Sequence, residues 1–158
     1  GTPAMRFDLA MVSELCGDVG LKCVRRSADE AAVHLEEGIA LLFQNVATEY
    51  TGEDGTTNTN EDDNLIGFEG TEWHTHDGLM CSDRHGFYVE LSYLDLVSGL
   101  AEGTVLVCEM WLHGELADRW LVHRDFVDEF RFLENGKEIR IRSVSRQGDT
   151  SPSGSEGA

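Results

Sequence analysis

Short runs of strand-forming residues, separated by turns, follow one another early in the chain. This pattern limits the folds that the chain can adopt. Three of these runs are residues 22–26, 31–36 and 39–47. In the second run Val33 and Leu35 alternate with polar or small neighbours, which is the two-residue period of a half-buried strand. The pattern predicts three consecutive strands in an antiparallel meander.

Two other segments have the patterns of helices. Residues 7–19 place apolar side chains at helical spacing and are followed by Gly20, a residue type that commonly ends helices. Ser92 and Asp95 have the spacing of a capping box, which predicts a short helix over residues 93–102. We therefore expect an α+β fold: a mostly antiparallel sheet with an N-terminal helix and one or two short helices packed on it.

The middle of the chain contains a long polar stretch, and a hairpin pattern follows further on. Residues 48–64 are acidic and nearly free of apolar side chains, which predicts a long loop. Residues 104–113 and 116–123 are apolar runs that flank Gly114, and they predict a hairpin.

One segment fits two structures equally well. Residues 125–136 contain an Asn-Gly pair, which favours a hairpin that pairs Phe130 with Ile141. Alternatively, Asp125 begins a short amphipathic helix, because short apolar runs do not separate helix from strand by pattern alone. In both alternatives residues 137–144 form a strand.

The length of 158 residues fits one domain. We assign residues 5–144 to it. Residues 1–4 precede a methionine and have the character of an expression scar. Residues 145–158 are rich in Ser and Gly, and we expect a flexible polar tail.

The chain is strongly acidic, with 30 Asp and Glu against 12 Lys and Arg and a formal net charge of -18. Nucleic acids and anionic lipids bind through cationic side chains, so we expect neither as a partner and expect a basic protein instead. Cys16, Cys23, Cys81 and Cys108 form no C-x-x-C pair. This predicts free thiols and a cytoplasmic location.

The acidic residues are concentrated in one block. Residues 27–83 contain no Lys or Arg, and their fourteen acidic residues are Asp29, Glu30, Glu36, Glu37, Glu49, Glu53, Asp54, Glu61, Asp62, Asp63, Glu69, Glu72, Asp77 and Asp83. Carboxylates without local cations create a negative field that steers a cationic partner. The candidate partner-binding acids are Glu49, Glu53, Asp54, Glu61, Asp62, Asp63, Glu69 and Glu72.

The block also contains the run Trp-His-Thr-His-Asp at residues 73–77. On a strand, His74 and His76 point to the same side, as a zinc site needs. The alternative is that both histidines line a cleft or make hydrogen bonds, while Trp73 anchors a partner.

This histidine pair, followed by Ser82, resembles the core of the JAMM metalloprotease motif. The resemblance implies a zinc ion held by His74 and His76 and a metal-dependent hydrolase activity. Asp77 stands where that motif has proline, and His85 stands where it has its aspartate.

In size, acidity and layout the whole chain resembles the bacterial immunity proteins that neutralise polymorphic toxins. That resemblance implies a cytoplasmic inhibitor that occludes the functional surface of a toxin. We further expect a monomer or homodimer without enzyme activity and without a cofactor, unless the histidine pair binds zinc. The alternatives are the metal-dependent hydrolase and a structural or oligomerising module that uses exposed strand edges.

Overall fold

The computed structural model describes residues 6–130 and 137–144, with the backbone alone at 47–48, 59–63 and 128–130. The elements in chain order are α1 Leu9–Val19, β1 Lys22–Ser27, β2 Glu30–Glu36, β3 Ile39–Thr51, β4 Thr57–Phe68, β5 His74–Thr75, β6 Gly78–Ser82, β7 Tyr88–Ser92, α2 Tyr93–Glu102, β8 Val105–Leu112, β9 Glu115–His123, a 3-10 helix Arg124–Phe130, and β10 Lys137–Arg142. The expected scar at residues 1–4 and the expected tail at 145–158 lie outside the described residues.

The strands form antiparallel sheets, and the α+β prediction is confirmed. The largest sheet has the order β1-β2-β3-β4-β5, a second has the order β10-β8-β9, and β6 pairs with β7. The predicted meander, the short helix after Ser92 and the hairpin around Gly114 are all present. No helix in the described part of the chain has the length and apolar composition needed to cross a lipid bilayer.

The prediction of a long loop at residues 48–64 is wrong. This stretch completes β3, makes a tight turn and begins β4, with Glu49 opposite Thr59 and Thr51 opposite Thr57. The loop prediction relied on the lack of apolar residues. That criterion fails here because the described side chains at residues 49–58 are mostly exposed, and a strand pair without a buried face need not alternate apolar with polar residues.

The core lies between the five-stranded sheet and the two helices. Cross-strand rows of side chains line the inner face of that sheet: Val33, Leu41 and Phe68 form one row, and Ala31, Phe43 and Ile66 form the next. All six side chains are buried. Val12 and Cys16 on α1 and Leu96 and Leu100 on α2 belong to the same cluster, so the helices cover this face.

The segment after β9 is helical rather than a hairpin. Residues Arg124–Phe130 form the 3-10 helix, and Phe126 on it is buried. The strand β10 pairs instead with β8, so Ile141 lies opposite Cys108. The hairpin pairing of Phe130 with Ile141 is therefore wrong, and the Asn-Gly turn lies outside the described residues.

A carboxylate is buried in the three-stranded sheet. Glu109 lies on the central strand β8 and is fully buried. Arg119 on β9 forms an ion pair with its Oε2 at 2.8 Å, and Arg142 on β10 donates a hydrogen bond to its Oε1. The indole of Trp111 donates a third hydrogen bond at 3.2 Å. Burial raises the pKa of Glu109, and these hydrogen bonds lower it by more, so the pKa lies below the ordinary value.

Substitution by alanine should have opposite effects on stability at two of the glycines. A Cβ at Gly78 would lie 2.0 Å from the carbonyl oxygen of Leu91, whereas a Cβ at Gly17 on α1 would meet nothing within 4 Å. We expect Gly78→Ala to destabilise the fold by about 1–3 kcal/mol, because the overlap forces β6 and β7 apart. We expect Gly17→Ala to stabilise it by about 0.5–1 kcal/mol through helix propensity. Urea unfolding measures both changes, and equal unfolding midpoints for the two variants would contradict the close approach at Gly78.

Candidate functional site

A two-stranded ribbon extends beyond the five-stranded sheet. The last pair between β2 and β3 joins Glu30 to Gln44, and β4 pairs with β5 at Ile66 and Gly67. Residues 46–63 lie past these points, where β3 and β4 pair with each other. We call residues 46–63 the acidic arm.

The tip of the acidic arm is a short turn held by its own backbone. The amide of Gly52 donates to the carbonyl of Thr56 at 2.8 Å, and the amide of Gly55 donates to the carbonyl of Gly52 at 3.0 Å. Gly55 has a φ of 83°, a left-handed conformation that glycine adopts without strain. The tip is therefore a defined structure rather than an open loop.

The acidic arm carries six carboxylates and no Lys or Arg: Glu49, Glu53, Asp54, Glu61, Asp62 and Asp63. Glu49, Glu53 and Asp54 are exposed, whereas the side chains of 61–63 lie outside what the structure describes. The Thr56 hydroxyl and amide donate to Asp54 at 2.6 and 3.0 Å, and these hydrogen bonds lower the pKa of Asp54. Asp54 therefore stays ionised in its observed position.

Outside the acidic arm, arginines from other segments pair with several acids of the block. Arg26 binds Glu69 through both of its terminal nitrogens, at 2.7 and 3.2 Å, and Glu30 at 3.3 Å. Arg6 pairs with Asp29 at 2.9 Å, and Arg142 pairs with Glu36 at 3.1 Å. Arginines from outside the block therefore neutralise some of its acids on the body of the fold. Glu69 in particular is already engaged, and the Arg26 guanidinium lowers its pKa.

Trp73 is not a free-standing anchor. It is half-buried, its ring centroid lies 6.0 Å from that of Phe68, and it packs against the main core. Its neighbour Glu72 is exposed. The structure thus separates the predicted partner-binding residues into the arm and a region around β5.

Trp73 also lines a cavity of about 620 Å³ that opens between β5, β6 and β9. Its walls are mostly apolar, with Trp120, Met80, Met110 and Phe126 among them, and His74 and Asp118 supply polar groups. Cavities of this volume and composition accept small molecules or single side chains of a partner.

The two histidines of the H-x-H pair lie side by side. Their ring centroids are 5.3 Å apart at an interplanar angle of 85°. Nδ1 of His74 lies 3.2 Å from the carbonyl oxygen of Glu72, and Nδ1 of His76 lies 2.6 Å from that of Asn64. Among the described residues no three His, Cys, Asp or Glu side chains are grouped so that they could hold a metal ion. The zinc hypothesis therefore has two candidate ligands, and the side chains that the structure describes supply no third.

Ser82 and Asp83 near this pair have separate surroundings. Ser82 borders the cavity together with His74. The carboxylate of Asp83 accepts hydrogen bonds from the amides of His85 and Phe87 at 2.8 and 3.0 Å. Asp83 is thus used to close the turn between β6 and β7.

That turn exposes an apolar surface that the sequence did not reveal. Met80, Phe87 and Tyr88 are 64%, 70% and 68% exposed. Phe87 directly precedes β7, and Tyr88 is the first residue of that strand. The dipeptide Phe87-Tyr88 next to Gly86 was the available signal, because large aromatics beside a turn glycine have little core within reach.

Comparisons of the chain with protein-family models, with curated proteins and with solved structures find no match.

Proposed function

We propose that this protein binds a basic protein and inhibits it by laying the acidic arm across the cationic functional surface of that partner. The observation that carries the proposal is the acidic arm itself, a projecting ribbon with six carboxylates and no cationic side chain in its sequence. In the bacterial setting that the resemblance to immunity proteins implies, the protein is cytoplasmic and the partner is a toxin.

The distribution of charge supports steering by the arm. Arginines neutralise Asp29, Glu30, Glu36 and Glu69 on the body, whereas the arm contains no cation of its own. Six carboxylates are therefore concentrated on one narrow projecting element. Segregated charge of this kind raises association rates by about 10- to 1,000-fold, and this increase becomes smaller as salt is added.

Charge alone does not hold a complex, and the arm also offers a contact group. Tyr50 lies on β3 within the arm and is 55% exposed. Tyrosine combines a large apolar ring with a hydroxyl, and it is enriched at the energetic centres of interfaces. We assign Tyr50 the role of packing against the partner once the carboxylates have oriented it.

The test is to compare what differently charged baits retain from an extract of the organism that makes the protein. The arm variant Glu49→Gln, Glu53→Gln, Asp54→Asn removes three exposed charges from the arm. The control variant Glu14→Gln, Asp18→Asn, Glu102→Gln removes three exposed charges from α1 and α2. We expect the wild type and the control to retain the same basic protein in similar amounts. We expect the arm variant to retain at least about tenfold less of that protein.

Two outcomes would contradict the proposal. Equal retention by the arm variant and the control would mean that the arm does not direct binding. If the wild type retains no basic protein, the proposed class of partner is wrong.

A further inference from the structure

The cavity beside Trp73 lies where the three sheets of the described fold meet. Its walls come from β5 of the five-stranded sheet, from β6 of the two-stranded sheet, and from β8, β9 and β10 of the three-stranded sheet. Its volume of about 620 Å³ falls within the range of about 300–1,000 Å³ that is usual for sites of small organic ligands. The described residues of the acidic arm contribute nothing to these walls, so a ligand here is independent of the proposed inhibition.

One wall is the face of the three-stranded sheet that lies opposite to the face of Glu109. Met110 on β8 pairs with Asp118 on β9 and with Ile139 on β10, and Trp120 lies two residues beyond Asp118. Because alternate residues of a strand point to the same side, these four side chains share one face, and all four line the cavity. This wall therefore offers a ligand a large aromatic ring, two flexible or branched apolar side chains and one carboxylate.

The charge of the walls selects the sign of the ligand. Among the described residues that line the cavity there is no Lys or Arg, and Asp118 supplies the one carboxylate. Asp118 is half-buried, and its Oδ1 accepts a hydrogen bond from the amide of Arg119 at 2.8 Å. A carboxylate that is partly removed from water attracts cations and repels anions more strongly than one in bulk solvent. The cavity therefore favours a cationic ligand over an anionic one.

Two further polar groups of the walls are arranged as hydrogen-bond acceptors. Thr75 donates its hydroxyl hydrogen to the carbonyl of Gly78 at 2.8 Å, so its oxygen is left to accept. Nδ1 of His74 lies 3.2 Å from the carbonyl oxygen of Glu72, and a carbonyl oxygen pairs with a protonated nitrogen. In the neutral ring the proton is therefore assigned to Nδ1, and Nε2 is an acceptor. Both groups favour a ligand that donates hydrogen bonds.

We propose that this cavity binds a small organic ammonium ion that carries an aromatic ring. The ring packs against Trp120 and Met110, and the ammonium group forms an ion pair with Asp118. Alternate residues of a strand are about 7 Å apart, which is about the reach of an ammonium on a two-carbon chain attached to a ring. Tryptophan attracts cations with the face of its ring, and methionine makes favourable contacts with aromatic rings.

Calorimetric titration of the full chain with three indole compounds tests the class of ligand. Tryptamine carries an ammonium, 3-ethylindole carries no charge, and indole-3-propionate carries a carboxylate on the same two-carbon chain. We expect tryptamine to bind at one equivalent and about 10- to 100-fold more tightly than 3-ethylindole, and we expect no binding of indole-3-propionate. Equal affinities for tryptamine and 3-ethylindole, or no binding of tryptamine at about 1 mM, would overturn the proposal.

A fourth compound, Nα-acetyl-lysine amide, separates a small aromatic ligand from a lysine side chain of a partner protein. It carries the ammonium but no ring, and burial of an aromatic ring contributes strongly to affinity. We therefore expect it to bind at least about tenfold more weakly than tryptamine. Equal or tighter binding would show that the cavity accepts a lysine side chain, and the proposed aromatic ligand would be wrong.

A matched pair of variants tests whether the ligand lies in the cavity. Asp118→Asn keeps the shape of the side chain and removes its charge, whereas Glu115→Gln removes an exposed charge from the same strand outside the cavity. We expect Asp118→Asn to weaken tryptamine binding by about 10- to 100-fold and to leave 3-ethylindole unaffected. We expect Glu115→Gln to change tryptamine binding by less than about twofold. Equal effects of the two variants on tryptamine would show that it responds to the general negative charge of the protein, which would overturn the proposal.

Discussion

Replacing Glu109 with alanine lowers the free energy of unfolding by about 3–5 kcal/mol, because it leaves two guanidinium groups without their shared carboxylate. Arg119 is itself buried, and its ion pair with Glu109 spans 2.8 Å between adjacent strands. Removing one member of a buried ion pair costs more than the pair contributes, since the remaining charge has no water to replace its partner. Urea denaturation monitored by tryptophan fluorescence measures the change.

Glu138→Ala is the matched control. Glu138 lies on the neighbouring strand β10 and also pairs with an arginine, Arg140, at 2.9 Å, but both side chains are largely exposed. We expect its unfolding midpoint to equal that of the wild type, because exposed ion pairs contribute little. If Glu109→Ala and Glu138→Ala unfold at the same urea concentration, Glu109 is not the buried centre of the three-stranded sheet.

The same residue gives part of the acid sensitivity of the fold. Burial raises the pKa of Glu109 and the hydrogen bonds from Arg119, Arg142 and Trp111 lower it by more, so its folded pKa lies below its unfolded value. Its contribution is therefore complete above the unfolded pKa of about 4.3 and is lost as the pH falls through the folded pKa. We expect the stability difference between the wild type and Glu109→Ala to shrink on acidification below that value.

Excision of the acidic arm leaves the rest of the fold intact. Val46 and Asp63 are paired across β3 and β4, so residues 47–62 can be replaced by Asn-Gly, a dipeptide that closes two-residue hairpins. A two-stranded ribbon in water contributes little stability of its own. We expect the free energy of unfolding to stay within about 0.5 kcal/mol of the wild type and the circular dichroism of the body to persist. A loss of more than about 2 kcal/mol would show that the arm packs on the body.

The sequence was informative wherever a segment buries one face. The meander, α1, α2 and the hairpin of β8 and β9 all have an apolar face against the core, and periodicity detects such faces. Their ends were marked as well, because Ser92 caps α2 and Gly20 and Gly103 end the two helices. These are local signals that depend on neighbours in the chain.

The acidic arm gave no such signal, because its described side chains at residues 49–58 are mostly exposed and polar residues fill both strands. The remaining signal for strands in the arm was its composition. Threonine and tyrosine favour strands, and the arm has them at Thr48, Tyr50, Thr51, Thr57 and Thr59. A pair of glycines at 52 and 55 marked the turn. Weighting propensity above hydrophobic periodicity would have predicted the hairpin.

Contacts between distant segments could not be predicted either. Arg142 meets Glu36 and Glu109 at sequence separations of 106 and 33 residues, and Arg26 meets Glu69 at a separation of 43. These ion pairs neutralise some carboxylates of the acidic block, and those carboxylates contribute less to its negative field. The sequence identifies the block, and the fold places arginines against Glu30, Glu36 and Glu69 within it.

The rate of association between this protein and the basic protein that the wild-type bait retains tests the central claim most directly. Rate constants are measured for the wild type and the arm-excised variant over a range of salt concentrations. We predict that the wild-type rate constant falls steeply with added salt, and that excision lowers it by about 10- to 1,000-fold at low salt and removes most of the salt dependence. Equal rate constants with equal salt dependence for the two proteins would contradict the proposed role of the acidic arm.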